Sequence, residues 1–134
     1  MSLIQVINPN TSLAMTETIG QAARAVAAPG TEILAVSPSQ GVPSIEGHFD
    51  EAIAAIGVLE QIKLGRAQGV SGHVIACFGD PGLLAARELA SGGRVGVRIH
   101  VHAEAHQDVA ERAVLHLLAR VEPRADLGRA LLLA

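Results

Sequence analysis

The sequence predicts an α/β fold: a three-layer domain in which a parallel β-sheet carries helices on both faces. Three observations lead to this prediction. Short apolar segments alternate with longer segments of helical periodicity over residues 1–90. The short segments are mostly apolar, which is typical of parallel strands buried on both faces. The chain has 134 residues, the length of a single domain.

The first elements are delimited by turn and capping residues. A strand over 3–7 stops at Asn8-Pro9-Asn10, which is a turn signal. A helix over 12–27 follows, and Thr11 or Ser12 is suited to cap it. After Pro29-Gly30 the chain returns as a second strand over 32–36.

The next elements repeat the alternation. A loop over 37–48, rich in Ser, Pro and Gly, leads into a helix over 49–67 with Gly57 and Gly65 as candidate breaks. The third strand is predicted over 73–78. Asp80-Pro81 is expected to open a third helix, because Asp suits the N-cap and Pro suits the first helical position.

Residues 94–134 differ from the rest because they are richer in arginine and histidine. Apolar and polar residues alternate over 94–101, which predicts a half-exposed strand near a sheet edge. A helix over 104–121 fits the apolar pattern that follows. We therefore divide the chain into 1–93 and 94–134. The second part is either a strand and helix that close the domain or an unselected translation after a frameshift.

Composition excludes several function classes. A net charge of −3 and an aromatic content of 1% argue against nucleic-acid binding. The sequence contains one cysteine, which excludes an internal disulfide framework and a cysteine-based zinc site. No apolar run has the ~20 residues of a membrane span, and the start lacks a basic leader. These features predict a cytoplasmic protein that acts on a small molecule, without membrane or nucleic-acid partners.

Polar loops follow all three predicted strands, at the edge where α/β sheets bind ligands. The turn over 8–12 could hold a substrate oxygen or could simply cap a helix. Cys77, between a strand and a predicted helix start, is either a buried filler or a thiol whose pKa is lowered by nearby amides and the helix dipole. In the loop over 43–48, His48 could pair with Cys77, although the loop could also be merely solvated.

Three histidines in the second part of the chain raise the question of a metal site. His100 and His102 would share one strand face, and His106 would lie near the start of the following helix. Exposed histidines on an edge strand explain the pattern better, because no cysteine lies nearby and Glu104 is a weak additional ligand. We predict no metal and no cofactor.

Three of these segments together resemble motifs of the aspartate/glutamate/hydantoin racemase superfamily, and most closely its hydantoin and allantoin racemase branch. The motifs occur in the family's order and at the matching strand ends, and the resemblance covers about residues 2–92. They are Ile7-Asn8-Pro9-Asn10-Thr11-Ser12, Gly41-Val42-Pro43-Ser44-Ile45-Glu46-Gly47 and Val74-Ile75-Ala76-Cys77-Phe78-Gly79-Asp80-Pro81-Gly82-Leu83.

The resemblance implies a cofactor-independent racemase or epimerase acting on a hydantoin, allantoin or related amino-acid derivative. In this family one cysteine removes the α-proton of the substrate, and a second returns a proton to the opposite face. Cys77 matches the first cysteine. The expected substrate-binding residues are Asn8, Asn10, Thr11, Ser12, Ser44, Ile45, Gly79 and Asp80.

Family members are about twice as long, so the resemblance implies one half of a two-domain architecture in which the other half supplies the second cysteine. One thiol cannot easily serve both faces of a planar carbanion. Two alternatives therefore remain. The chain could be an inactive half that binds a ligand or associates with itself, or a one-cysteine relative such as a decarboxylase or isomerase. In each case, exposed apolar surface predicts a homo-oligomer.

Overall fold

The computed structural model describes residues 1–90 and the backbone of residues 94–98. Strands and helices alternate strictly, as the sequence predicts. The strands are β1 (Ser2–Ile7), β2 (Thr31–Val36), β3 (Gly72–Ile75) and β4 (Arg94–Arg98), and the helices are α1 (Leu13–Val26), α2 (His48–Ala67) and α3 (Leu83–Leu89).

The four strands form one parallel sheet in the order β2-β1-β3-β4. Ile4 of β1 is in register with Ile33 of β2 on one side and Gly72 of β3 on the other. Because α1 packs on one face of the sheet and α2 and α3 pack on the other, side chains of β1 are buried on both faces, which explains its mostly apolar sequence. The predicted parallel α/β fold is confirmed.

Side chains of β1 alternate between two apolar clusters, one on each face of the sheet. On one face, Ile4 and Val6 pack with Ala23 of α1. On the other face, Ile7 packs with Val58 of α2 and Ala86 of α3. The sheet is therefore covered by α1 on one side and by α2 and α3 on the other, and the predicted three layers are confirmed. No helix within the described residues is long and apolar enough to cross a membrane.

The prediction that α2 breaks at Gly57 or Gly65 is wrong. The helix runs without interruption from His48 to Ala67. A Cβ at Gly57 would lie 2.7 Å from Pro38 Cβ, and a Cβ at Gly65 would lie 2.8 Å from Gln5 Cδ. Both glycines are therefore explained by close packing of the helix against its neighbours.

The prediction that Asp80-Pro81 opens the third helix is also wrong. The third strand ends at Ile75 instead of residue 78, and α3 begins only at Leu83. Asp80 has φ +50° and Gly82 has φ +74°, so the chain makes a turn here before it becomes helical. The Leu83 amide donates to the Asp80 carbonyl at 3.0 Å and closes that turn.

The strand predicted over 94–101 corresponds to β4, which pairs in parallel with β3 and lies at one end of the described sheet. The pairing shifts register between His73 and Ile75. The helix predicted over 104–121 and the three histidines His100, His102 and His106 lie outside the described residues.

Candidate active site

The loops after β1, β2 and β3 meet at the carboxyl edge of the sheet. The strand ladder continues beyond the strands on both sides of β1. The Asn8 amide donates to the Val36 carbonyl at 2.8 Å, and the Ala76 amide donates to the Ile7 carbonyl at 2.8 Å. The turn that begins at Asn8 and the loop that contains Cys77 therefore start from neighbouring, hydrogen-bonded positions.

Asn8 organises the turn after β1 from inside the protein. Its side chain is 1% exposed. Its two amide hydrogens are shared among Asn10 Oδ1 at 2.8 Å, Thr16 Oγ1 at 3.0 Å and the Ser12 carbonyl at 3.2 Å. Its Oδ1 accepts the Asn10 amide at 3.4 Å. The Asn8 side chain therefore ties the turn to the first residues of α1.

The same turn caps α1, as predicted. Ser12 is the N-cap, and its Oγ accepts the Met15 amide at 3.3 Å. Asn10 Oδ1 accepts the Ser12 amide at 2.9 Å, and Asn10 Nδ2 donates to Met15 Sδ at 3.2 Å. The turn is thus held in one geometry by internal hydrogen bonds, which is the preorganisation that a binding site needs.

Thr11 joins this turn to the loop after β2. Its amide donates to the Val42 carbonyl at 3.0 Å, and its hydroxyl donates to the same oxygen at 3.4 Å. Val42 belongs to the second of the three motifs, which spans residues 41–47. Within that segment Ser44 is exposed and Ile45 is half-buried. The structure therefore brings the first two predicted segments together through Thr11.

Cys77 lies two residues beyond β3, half-buried against the apolar cluster between the sheet, α2 and α3. The prediction of a lowered thiol pKa is wrong. Burial raises the pKa of Cys77, and the carboxylates of Glu51 and Asp80 raise it further. Backbone hydrogen bonds from Gly79 and Phe78 to the sulfur lower the pKa, but burial and the two carboxylates together have the larger effect.

Sequence reasoning missed Glu51, which lies in the first turn of α2. Its carboxylate approaches the loop after β3 so closely that a Cβ at Gly79 would lie 2.5 Å from Glu51 Oε1. The third motif, residues 74–83, therefore packs against the first turn of α2 through Gly79 and Glu51. The signal in the sequence was weak, because an acidic residue in a first helical turn is common for electrostatic reasons alone.

Of the two alternatives for His48, a pair with Cys77 or a solvated loop, the structure favours the solvated loop. The His48 side chain is fully exposed, and its Nδ1 lies 3.5 Å from Glu51 Oε2. The ring therefore faces Glu51 and solvent. No group of three or more His, Cys, Asp or Glu side chains within the described part of the chain is arranged to hold a metal ion.

Large apolar side chains remain exposed around this edge of the sheet. Phe49 is 76% exposed at the start of α2, and Phe78 is 51% exposed in the loop after β3. Leu13 and Leu84 are similarly exposed at the starts of α1 and α3. Apolar surface grouped in this way is typical of a face that another surface covers.

Comparison with known proteins identifies the family. The family model described as Asp/Glu/Hydantoin racemase matches residues 4–126. The chain belongs to this family. The predicted resemblance to it is therefore confirmed, and the matched segment contains the turn over 8–12, the loop over 37–47 and Cys77.

Individual relatives agree with the family assignment. The hydantoin racemase of Pseudomonas sp. (strain NS671) is 53% identical over 94 residues, which are 70% of this chain and 38% of the relative. The hydantoin racemase of Paenarthrobacter aurescens is 50% identical over 95 residues, which are 70% of this chain and 40% of the relative. The chain thus spans about two fifths of the length of these racemases.

A solved structure also agrees with the family assignment. The allantoin racemase from Klebsiella pneumoniae superposes with a TM-score of 0.69 and 82% sequence identity. The match covers 72% of this chain and 39% of that structure. The fold described above therefore corresponds to one part of a larger racemase fold.

Proposed function

We propose that this chain carries a proton-transfer site of a cofactor-independent racemase for a hydantoin, allantoin or related amino-acid derivative. One observation supports the proposal above all. Cys77 lies at the carboxyl edge of the sheet, beside a preorganised polar turn, in a segment of 94 residues that is 53% identical to a hydantoin racemase.

In this proposal the Cys77 sulfur exchanges a proton with the substrate carbon next to the ring carbonyl. As a thiolate, the sulfur takes the proton, and the C–H electron pair moves into the enolate. As a thiol, it gives a proton to that carbon, and the sulfur keeps the S–H electron pair. The raised pKa of Cys77 means that the thiol is the resting form, so the thiolate must be generated before proton abstraction.

The remaining predicted residues would bind the substrate oxygens. The candidate contacts are the loop after β3, at Gly79 and Asp80, and the polar groups of Asn10, Thr11 and Ser12. The Gly79 amide itself hydrogen-bonds to the Cys77 sulfur. Ser44 and Ile45 are candidate contacts from the loop after β2, which Thr11 holds in place through Val42. The Asn8 side chain is buried, and its amide hydrogens bond within the turn.

A second candidate function follows from the single cysteine in the sequence. Racemisation requires a proton donor and a proton acceptor on opposite faces of the carbanion. A site with one thiol exchanges the α-proton on one face, and the substrate keeps its configuration. A chain that only binds the ligand, without turnover, would exchange nothing.

Deuterium exchange separates these functions. A single enantiomer of a 5-substituted hydantoin, and separately allantoin, is incubated with the full chain in D₂O. Deuterium at the α-carbon is followed by NMR and optical activity by polarimetry. Cys77→Ser is the inactive reference, because a hydroxyl is a far weaker acid. Thr18→Ala, on the exposed side of α1, is the matched control, and a protein-free sample corrects for spontaneous exchange.

The outcomes are distinct. Exchange with loss of optical activity that disappears in Cys77→Ser supports the racemase. Cysteine-dependent exchange with retention of configuration supports the one-thiol function. Equal exchange in Cys77→Ser and in the unchanged protein would contradict any role of this thiol in proton transfer.

A further inference from the structure

Gln5 and His73 form a buried polar pair in the middle of the sheet. Gln5 lies on β1 and is 1% exposed, and His73 lies opposite it on β3 and is 4% exposed. The distance between Gln5 Oε1 and His73 Nδ1 is 2.6 Å. The Gln5 side-chain amide also donates to the Gln61 carbonyl of α2 at 3.0 Å. One side chain therefore joins two strands and a helix, although neither Gln5 nor His73 has a part in the proposed proton transfer.

These hydrogen bonds define which atom of the pair is the donor. Gln5 Nε2 faces the Gln61 carbonyl, because Oε1 in the same place would set two acceptors against each other. Gln5 Oε1 is therefore the acceptor, and His73 Nδ1 carries the proton that it donates. Burial lowers the pKa of His73, so the ring is neutral near neutral pH and its Nε2 carries no proton.

The other side chains of the two paired strands do not distinguish one register from the next. The pairs between β1 and β3 are Ile4–Gly72, Gln5–His73, Val6–Val74 and Ile7–Ile75. If β3 slipped by one residue, Val74 and Ile75 would exchange faces, and each would still be buried under a helix. The backbone hydrogen bonds of a parallel ladder form equally well in either register.

The strand on the other side of β3 does not fix its register either, because the pairing with β4 is irregular between His73 and Ile75. A slip of one residue would, however, turn His73 away from Gln5 and toward the apolar cluster under α1. Both buried polar groups would then lose their hydrogen bond, which is costly. A single buried polar pair can thus specify a register where apolar contacts do not, as polar core positions do in coiled coils.

We propose that Gln5 and His73 are positioning residues: their buried hydrogen bond fixes the register of β3 against β1 and thereby places Cys77 beside the turn after β1. Cys77 follows the end of β3 by two residues. A slip of one residue would move it by about 3.3 Å and turn its side chain to the opposite face of the sheet. The proposal rests on the proposed function only for the role of Cys77, because the register itself does not depend on activity.

The test replaces both partners at once, since a single replacement would leave the other buried without its hydrogen bond. Gln5→Met combined with His73→Leu removes the polar pair and keeps side chains of similar size. NMR of the full chain follows the inter-strand NOEs that join residues 4–7 to residues 72–75. We expect a second set of NOEs offset by one residue, and α-proton exchange at least about 10²-fold slower than in the unchanged protein.

Two further variants separate positioning from stability. His73→Asn places an amide nitrogen close to the position of Nδ1, so we expect it to keep a single register and most of the exchange rate. Val74→Ala removes apolar volume from the same strand and leaves the polar pair intact, so we expect lower stability without a second register. A folded double variant that shows one unchanged set of NOEs overturns the proposal.

The tautomer of His73 gives an independent test in the unchanged protein, whether or not the double variant folds. NMR of the ring nitrogens is expected to show the proton of the neutral ring on Nδ1. A proton on Nε2 instead means that the hydrogen bond to Gln5 is absent, and it overturns the proposal. If the register shifts in the double variant but the unchanged protein exchanges no α-proton, the proposed function fails and the role of Gln5 and His73 in placing β3 stands.

Discussion

Replacing Asn8 by alanine tests whether its amide builds the turn or binds the substrate. The substitution removes the donor for Asn10 Oδ1, Thr16 Oγ1 and the Ser12 carbonyl at a site that is 1% exposed. Two lost amide hydrogens contribute about 1 kcal/mol each, and the small cavity adds about 1 kcal/mol. We therefore expect the free energy of unfolding to fall by about 2–4 kcal/mol.

Urea unfolding followed by circular dichroism measures this loss. Thr18→Ala is the control, because its hydroxyl donates to the Ala14 carbonyl at 3.1 Å on the exposed side of the same helix. We expect Thr18→Ala to stay within about 0.5 kcal/mol of the unchanged protein. If Asn8→Ala is equally stable but exchanges the substrate α-proton about 10²–10³-fold more slowly, Asn8 donates to the substrate and our reasoning about the turn is refuted.

Three further predictions concern packing, pH and association. Gly65→Ala is expected to lower the free energy of unfolding, measured by urea titration, by about 1–3 kcal/mol, because the new Cβ meets the buried Gln5 amide. Equal or greater stability of this variant would contradict the prediction. Burial, followed by the charge of Arg66, lowers the pKa of His73 from 6.5. The free energy of unfolding is therefore expected to fall as the pH drops below about 6.5, and His73→Gln should lack this dependence. Light scattering is expected to show self-association that Phe49→Ser reduces, whereas a stable monomer at high concentration would contradict it.

The order of elements could be predicted because it depends on local patterns. Apolar strands such as residues 3–7, followed by capping residues and a helical stripe, specify the alternation of β and α without knowledge of distant contacts. The parallel sheet then follows from chain connectivity, since a helix between two strands returns the chain in the same direction. The clustering of three loops at one edge is a consequence of that topology.

The wrong predictions of helix breaks and of a helix start concern residues whose role depends on their three-dimensional surroundings. Gly57 and Gly65 look like helix breakers in sequence. In the fold, their lack of a side chain leaves room for Pro38 and Gln5 to pack against α2. Aspartate is a common N-cap residue, yet Asp80 adopts a positive φ in the turn before α3. Gln5 also breaks the apolar pattern of β1 and is explained only by its partners, the Gln61 carbonyl at 3.0 Å and His73 at 2.6 Å.

Cys77 illustrates the limit of local reasoning at the site itself. Its neighbours in sequence predict an activated thiolate, and the predicted backbone hydrogen bonds from Phe78 and Gly79 are present. Burial against α2 and the carboxylate of Glu51 are both distant in sequence, and they reverse the outcome. A proton carrier must both hold and release its proton, so the same environment that makes Cys77 a poor nucleophile toward an alkylating reagent suits it to return a proton to carbon. Low thiol reactivity near neutral pH is therefore compatible with a proton-transfer role, and deuterium exchange is the more direct measure of it.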